Sequence, residues 1–211
     1  MHYRLLTLTA ISLLIAVYGC SGSSGNEKEG VSDEIKTEPE SKNVFTENSG
    51  LISERISTAA INEQKNPMYS REEDSSYLYW LDNELIITDS TTKCNIFAMN
   101  VLYKAGFKCP DDYPLTYDLM DTAKFADILP VVKINSETDF RKGDLIIWNG
   151  HVIIFEYIIH YNDELYAMAW WAGTNQENNG VNIFNNVVHG RYPIYEGFIV
   201  RRPLLQNESK Y

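Results

Sequence analysis

The tightest constraint on this chain is a change of hydrophobic period at Pro130. Before it, apolar residues recur at helical spacing; after it they alternate or run in short stretches bounded by turns. Helices first and an antiparallel meander second is the α+β pattern. The clearest helix is Thr91 to Gly106. Counting from Cys94, Phe97, Ala98, Val101, Leu102 and Ala105 follow at i+3, i+4, i+7, i+8 and i+11, one buried face. Thr91 or Thr92 supplies an N-cap hydroxyl, and Gly106 is suited to the left-handed residue that closes a helix. Cys94 therefore points inward from the first turn, where unpaired N–H groups and the helix dipole favour a thiolate. A buried thiol is equally at home in a core, where it is inert.

The rest of the helical half is less regular. Leu51, Ile52, Ile56, Ala59 and Ala60 line one side of a helix ended by Pro67. Ser70 and Glu73 suggest a capping box before a short helix carrying Tyr77, Leu78, Trp80 and Leu81. Thr116 is placed to cap a helix over Tyr117 to Ala126. The strands begin with Val131, Val132 and Ile134, followed by Leu145 to Trp148 after the Arg141-Lys142-Gly143-Asp144 turn. Asn149-Gly150 is the strongest hairpin signal in the chain. It leads into His151 to His160, a turn at Tyr161-Asn162-Asp163, a return strand from Glu164 to Ala172, and a last strand at Phe198 to Val200. The stretch from Asn175 to Asn186 reads as a loop beside the hairpin.

The N-terminus is a separate matter. Residues 1–19 have a short basic start, an apolar run from Leu5 to Tyr18 and a small residue before Cys20, which is a secretory signal rather than a permanent span. Ala16-Val17-Tyr18-Gly19-Cys20 resembles a bacterial lipoprotein signal, which implies acylation at Cys20, export to the cell envelope and a membrane anchor. Residues 20–50 read as a tether, poor in large apolar side chains, with seven acidic and three basic groups over 21–50, a net of 3 − 7 = −4. The folded domain is expected over 51–211. A net charge of −11 leaves no basic stripe for nucleic acid. With Cys20 at the lipid site, Cys94 and Cys109 remain, and the length of helix between them disfavours a disulfide.

His151 opens the strand after Asn149-Gly150, 151 − 94 = 57 residues beyond Cys94. Alternation puts His151, Ile153 and Phe155 on one side and Val152, Ile154 and Glu156 on the other, both apolar enough to be buried. Three segments in this order, Thr92-Lys93-Cys94-Asn95-Ile96-Phe97, Lys142-Gly143-Asp144-Leu145-Ile146-Ile147-Trp148 and Gly150-His151-Val152, resemble the NlpC-type cysteine peptidases and the related CHAP amidases, a papain-like superfamily. Pro114-Leu115-Thr116 with Asp118-Leu119 sits where those proteins have a similar loop, and the resemblance covers roughly 77–202.

The resemblance implies a papain-like α+β domain with N-terminal helices packed on a central antiparallel sheet. It also implies hydrolysis of amide bonds in cell-wall peptidoglycan peptides, with Cys94 as nucleophile, His151 as base and no metal or other cofactor. The family places a third polar residue on the strand after the histidine, and here the sequence departs from it. A turn centred on Asn162-Asp163 pairs His151 with position 162 + 163 − 151 = 174 and puts Trp170 and Ala172 on that face, in a strand with nothing polar. Thr174, Asn175 or Gln176 remain, with Asn175 the first choice. Glu156 lies on the wrong face and His160 is too far along; His189 and His2 show no partner spacing. Asp144 reads as a turn residue bonding local backbone. The rival expectation is a catalytically inactive papain-like lipoprotein that binds or scaffolds in the envelope.

Overall fold

The computed structural model describes residues 41–69, 75–81, 84–89, 93–173, 180–184 and 186–207, with side chains for these except at 41–49, 75–78, 88–89 and 180–184. The signal segment, Cys20, Thr91, Thr92, Thr174, Asn175 and Gln176 lie outside the described residues. Three helices are present among them, α1 (Ser41–Gln64), α2 (Cys94–Lys104) and α3 (Thr116–Met120). The strands are β1 (Ser75–Trp80), β2 (Glu84–Asp89), β3 (Val131–Val132), β4 (Leu145–Trp148), β5 (His151–Tyr161), β6 (Glu164–Ala172), β7 (Gly180–Phe184), β8 (Val187–Pro193) and β9 (Ile199–Arg201).

Seven strands form one sheet in the order β3-β9-β4-β5-β6-β8-β7, and every neighbouring pair is antiparallel. The chain is thus a mixed α and β molecule built on an antiparallel sheet. Its central hairpins follow from turn chemistry. Asn162 and Asp163 both take positive φ (52° and 61°) between Tyr161 and Glu164, the conformation that twists a two-residue hairpin correctly. Gly150 (φ 91°) turns the chain between Trp148 and His151.

Over the first half of β5, to Phe155, both faces of the sheet are covered, as the alternation anticipates; from Glu156 on the strand is part-buried or exposed. Val152 and Ile154 join Leu145, Ile147, Trp170 and Ala172 in the cluster that receives α1 and α2. Ile153 and Phe155 join Ile146, Trp148, Ala169, Trp171 and Val200 in a second cluster closed by Phe140, Tyr192, Ile194 and Phe198. α2 is buried on all sides from Cys94 to Leu102, more than the single face its spacing predicts. Its two buried asparagines are satisfied: Asn95 Nδ2 donates to Pro114 O at 2.7 Å, and Asn100 Nδ2 donates to Tyr69 Oη and Tyr79 O. Gly106 (φ 90°) and the Phe107 N to Leu102 O bond close the helix as expected.

Four sequence expectations change. The helix expected over 51–66 begins earlier, at Ser41, inside the stretch read as tether. The helix expected around Tyr77 to Leu81 is instead the hairpin β1–β2. Strand alternation sends Tyr79 outward and Trp80 inward, where Trp80 Nε1 donates to Asp111 O at 2.8 Å; a helix would set the two only about 100° apart. The helix over Tyr117 to Ala126 stops at Met120, and Arg201 takes the carbonyls of Leu119 and Asp121, which a helix running on to Ala126 would use itself, together with that of Leu129. The loop expected from Asn175 to Asn186 contains β7, paired to β8.

Candidate active site

Cys94 is the first residue of α2 and is fully buried. The first backbone bond of the helix runs from Phe97 N to Lys93 O at 2.9 Å, so the amides before it belong to the turn without intrahelical acceptors. Lys93 rather than a threonine occupies the N-cap, and its side chain makes no capping hydrogen bond. Thr116, expected to cap α3, instead accepts a hydrogen bond from Gly150 N at 3.1 Å. Together with the Asn95 to Pro114 bond, that contact holds the 114–116 segment between the start of α2 and the β4–β5 turn. The nucleophile candidate and the histidine-bearing turn thus sit at one end of the sheet.

His151 is directly opposite Trp148 and begins β5. Its ring stacks on Tyr192 at 5.1 Å with 21° between the planes. Its Nε2 is buried and has no hydrogen-bond partner among the described residues. Burial pulls the imidazole down to about 4, so it is neutral at neutral pH. Tyr192, which faces that imidazole, is itself shifted. Burial first, then its hydrogen bond to Tyr195, the Tyr195 charge and the Cys94 sulfur raise its phenol well above the ordinary range. Cys94 belongs to the helix-side cluster, whereas His151 leaves β5 on the side of Ile153 and Phe155, the side on which Tyr192 packs.

The chain matches no family model, no curated protein and no solved structure.

The expected partner of His151 at position 174 is corrected by a β-bulge. From Tyr161↔Glu164 to Tyr157↔Met168 the paired numbers sum to 325, but at Phe155↔Ala169 and Ile154↔Trp170 they sum to 324. Glu156 is the extra residue. Extended to the end of the strand, the register sets 324 − 151 = 173, a glycine, opposite His151. Trp171 and Ala169, not Trp170 and Ala172, share its face. Asn175, the first choice for the third residue, is outside the described residues.

Other polar residues resolve into structural parts. Asp144 accepts from Arg141 N at 2.8 Å, the local bond expected, and also takes Arg202 in a bidentate pair at 2.8 Å. His160 pairs with Glu137 at 2.8 Å on the surface. His189, which shows no partner in sequence spacing, has one in space: Glu156. Cys94 and Cys109 are not joined; Cys109 donates to Met99 O at 3.5 Å, and burial pushes its thiol up to about 12. No group of three or more His, Cys, Asp or Glu among the described residues could hold a metal ion. No described helix is long and apolar enough to cross a membrane. Sequence reasoning missed Tyr192, and the only signal was its aromatic character on a strand not recognised as one.

Proposed function

We propose that the chain is an exported, Cys20-anchored cysteine amidohydrolase of papain-like arrangement that cleaves amide bonds in peptidoglycan peptides. The observation that supports this reading is that the 114–116 segment bridges the first turn of α2, which carries Cys94, to the β4–β5 turn that precedes His151. In the reaction, His151 accepts the thiol proton as Cys94 Sγ bonds to the scissile carbonyl carbon. The backbone N–H of Cys94 stabilises the oxyanion, and the C–N bond breaks as His151 returns the proton to the leaving amine. Water, deprotonated by His151, then breaks the thioester to give the acid and the free thiol. The neutral imidazole at neutral pH is the form that this general-base route requires.

A second reading, an inactive binding or scaffold module of the same fold, is favoured by two observations. Cys94 has no exposure to solvent, and the β5–β6 register, extended to His151, sets a glycine opposite the histidine. The deciding experiment is digestion of purified peptidoglycan with the full chain beside Cys94→Ala, with products analysed by mass spectrometry. New muropeptides that disappear in the variant are expected. No products, with a Cys94 that alkylates no faster than an ordinary thiol, overturns the enzyme.

A further inference from the structure

Tyr192 stands in β8 two strands from His151, yet the two rings are in face contact at 5.1 Å. The tyrosine is itself locked. Trp148 lies against it at 5.2 Å, Trp171 meets it edge-on at 5.2 Å and 78°, and Tyr195 shares a hydrogen bond with its hydroxyl. Tyr195 is held in turn, because Trp148 stacks on it at 4.8 Å and Trp148 Nε1 donates to its carbonyl at 3.1 Å. Gly173, just past the end of β6 and opposite His151 when the β5–β6 register is extended, has no side chain with which to orient the imidazole.

We propose that Tyr192 is the positioning residue of His151, holding the imidazole with a ring face where a papain-like site uses a polar side chain. This rests on the Cys94 and His151 reading above. A polar third residue fixes the histidine by occupying one ring nitrogen; a parallel aromatic face fixes it by blocking rotation of the imidazole out of the stack. The Tyr192 hydroxyl is turned to Tyr195, so it does not compete for the imidazole nitrogens, and Nε2 keeps its lone pair or proton uncommitted among the described residues. The aromatic wall of Trp148, Trp171 and Tyr195 sets the tyrosine plane and, through it, the plane of the base.

The test compares the full chain with Tyr192→Phe and Tyr192→Leu. The readouts are the NMR titration of the His151 ring and kcat and KM on a purified muropeptide. Tyr192→Phe keeps the face and is expected to leave kcat within about threefold, while Tyr192→Leu lowers kcat by about tenfold or more with KM little changed. In Tyr192→Leu the His151 titration also moves from about 4 back toward its ordinary value, as the covering ring is lost. Should Tyr192→Leu fail to fold, Tyr192→Met retains bulk without a flat face and is expected to behave the same way. Equal loss of kcat in Tyr192→Phe, or an unchanged titration and kcat in the Leu or Met variant, overturns the role. A parent chain that titrates as described but cleaves nothing fails the functional reading alone, because the titration still decides what holds His151.

Discussion

Glu156 Oε2 and His189 Nε2 meet at 2.6 Å, joining β5 to β8 across the intervening β6. The histidine crosses by lying flat on Trp170 of β6, at 3.9 Å and 7°. The other carboxylate oxygen takes Lys142 Nζ at 3.1 Å and accepts from Ser57 Oγ of α1 at 3.1 Å. Burial alone would raise the Glu156 carboxyl, but the bonds from His189 and Lys142 and their charges outweigh it and hold it at about 2. The group thus ties α1 and three strands through one buried charge.

Its contribution to stability has a defined sign. A carboxyl lowered from 4.5 to about 2 stabilises the fold above 4.5, and that share is lost as pH falls toward 2. Glu156→Gln is expected to cost about 2 kcal/mol at neutral pH and to flatten the thermal midpoint between those two pH values. Circular dichroism melts across the acid range check this; an acid dependence as steep as the parent's would remove Glu156 as its source.

His151 acts in the opposite direction of charge. Burial lowers it from 6.5 to about 4, so the unfolded chain binds more protons in that window and the fold weakens as pH falls through it. As the base, it should place the acid limb of Cys94 alkylation near 4 rather than near 6.5. Alkylation rates followed by mass spectrometry, with His151→Ala as control, measure the limb. A limb near 6.5 would mean the imidazole is solvated in the working state.

Arg201 is fully buried and gives its donors to three carbonyls, Leu119 O at 2.6 Å, Leu129 O at 2.5 Å and Asp121 O. A lysine carries the same charge but cannot reproduce the planar fork. Arg201→Lys is therefore expected to lose about 3 kcal/mol in urea unfolding, since orphaned carbonyls and a poorly solvated charge remain inside. A loss below about 1 kcal/mol would show that the segment after α3 relaxes around the change.

Gly143 takes φ +93°, and a Cβ there would lie 2.3 Å from Ile56 Cδ1. Gly143→Ala is expected to cost about 1–2 kcal/mol for the backbone alone, with the clash in addition. Ile56→Val removes the clashing methyl, so the double variant should lose less than the sum of the single losses. Additive losses in denaturant unfolding would assign the whole effect to the backbone.

How much of this was legible in the sequence follows from the range of the interactions involved. The α2 period, its Gly106 close, the two central hairpins, the burial of the first half of β5 on both faces and the local bond at Asp144 are set by residues a few positions apart. The β1–β2 hairpin is not legible locally, because Tyr77, Leu78, Trp80 and Leu81 suit a helical face as well as a strand; pairing with Glu84 to Asp89 decides between them.

The sequence by itself therefore determined the α2 helix, the two central hairpins and the candidacy of Cys94 and His151, since those rest on local periodicity and turn chemistry. The tertiary structure alone decided who stands beside them. One bulged residue, Glu156, shifted the register by one, so that its extension to His151 points to Gly173 rather than to position 174. Sheet order then brought Tyr192 to His151 and His189 to Glu156. Such neighbours come from pairing between strands distant in the chain, where one residue of slip reverses every face, and no local pattern carries that information.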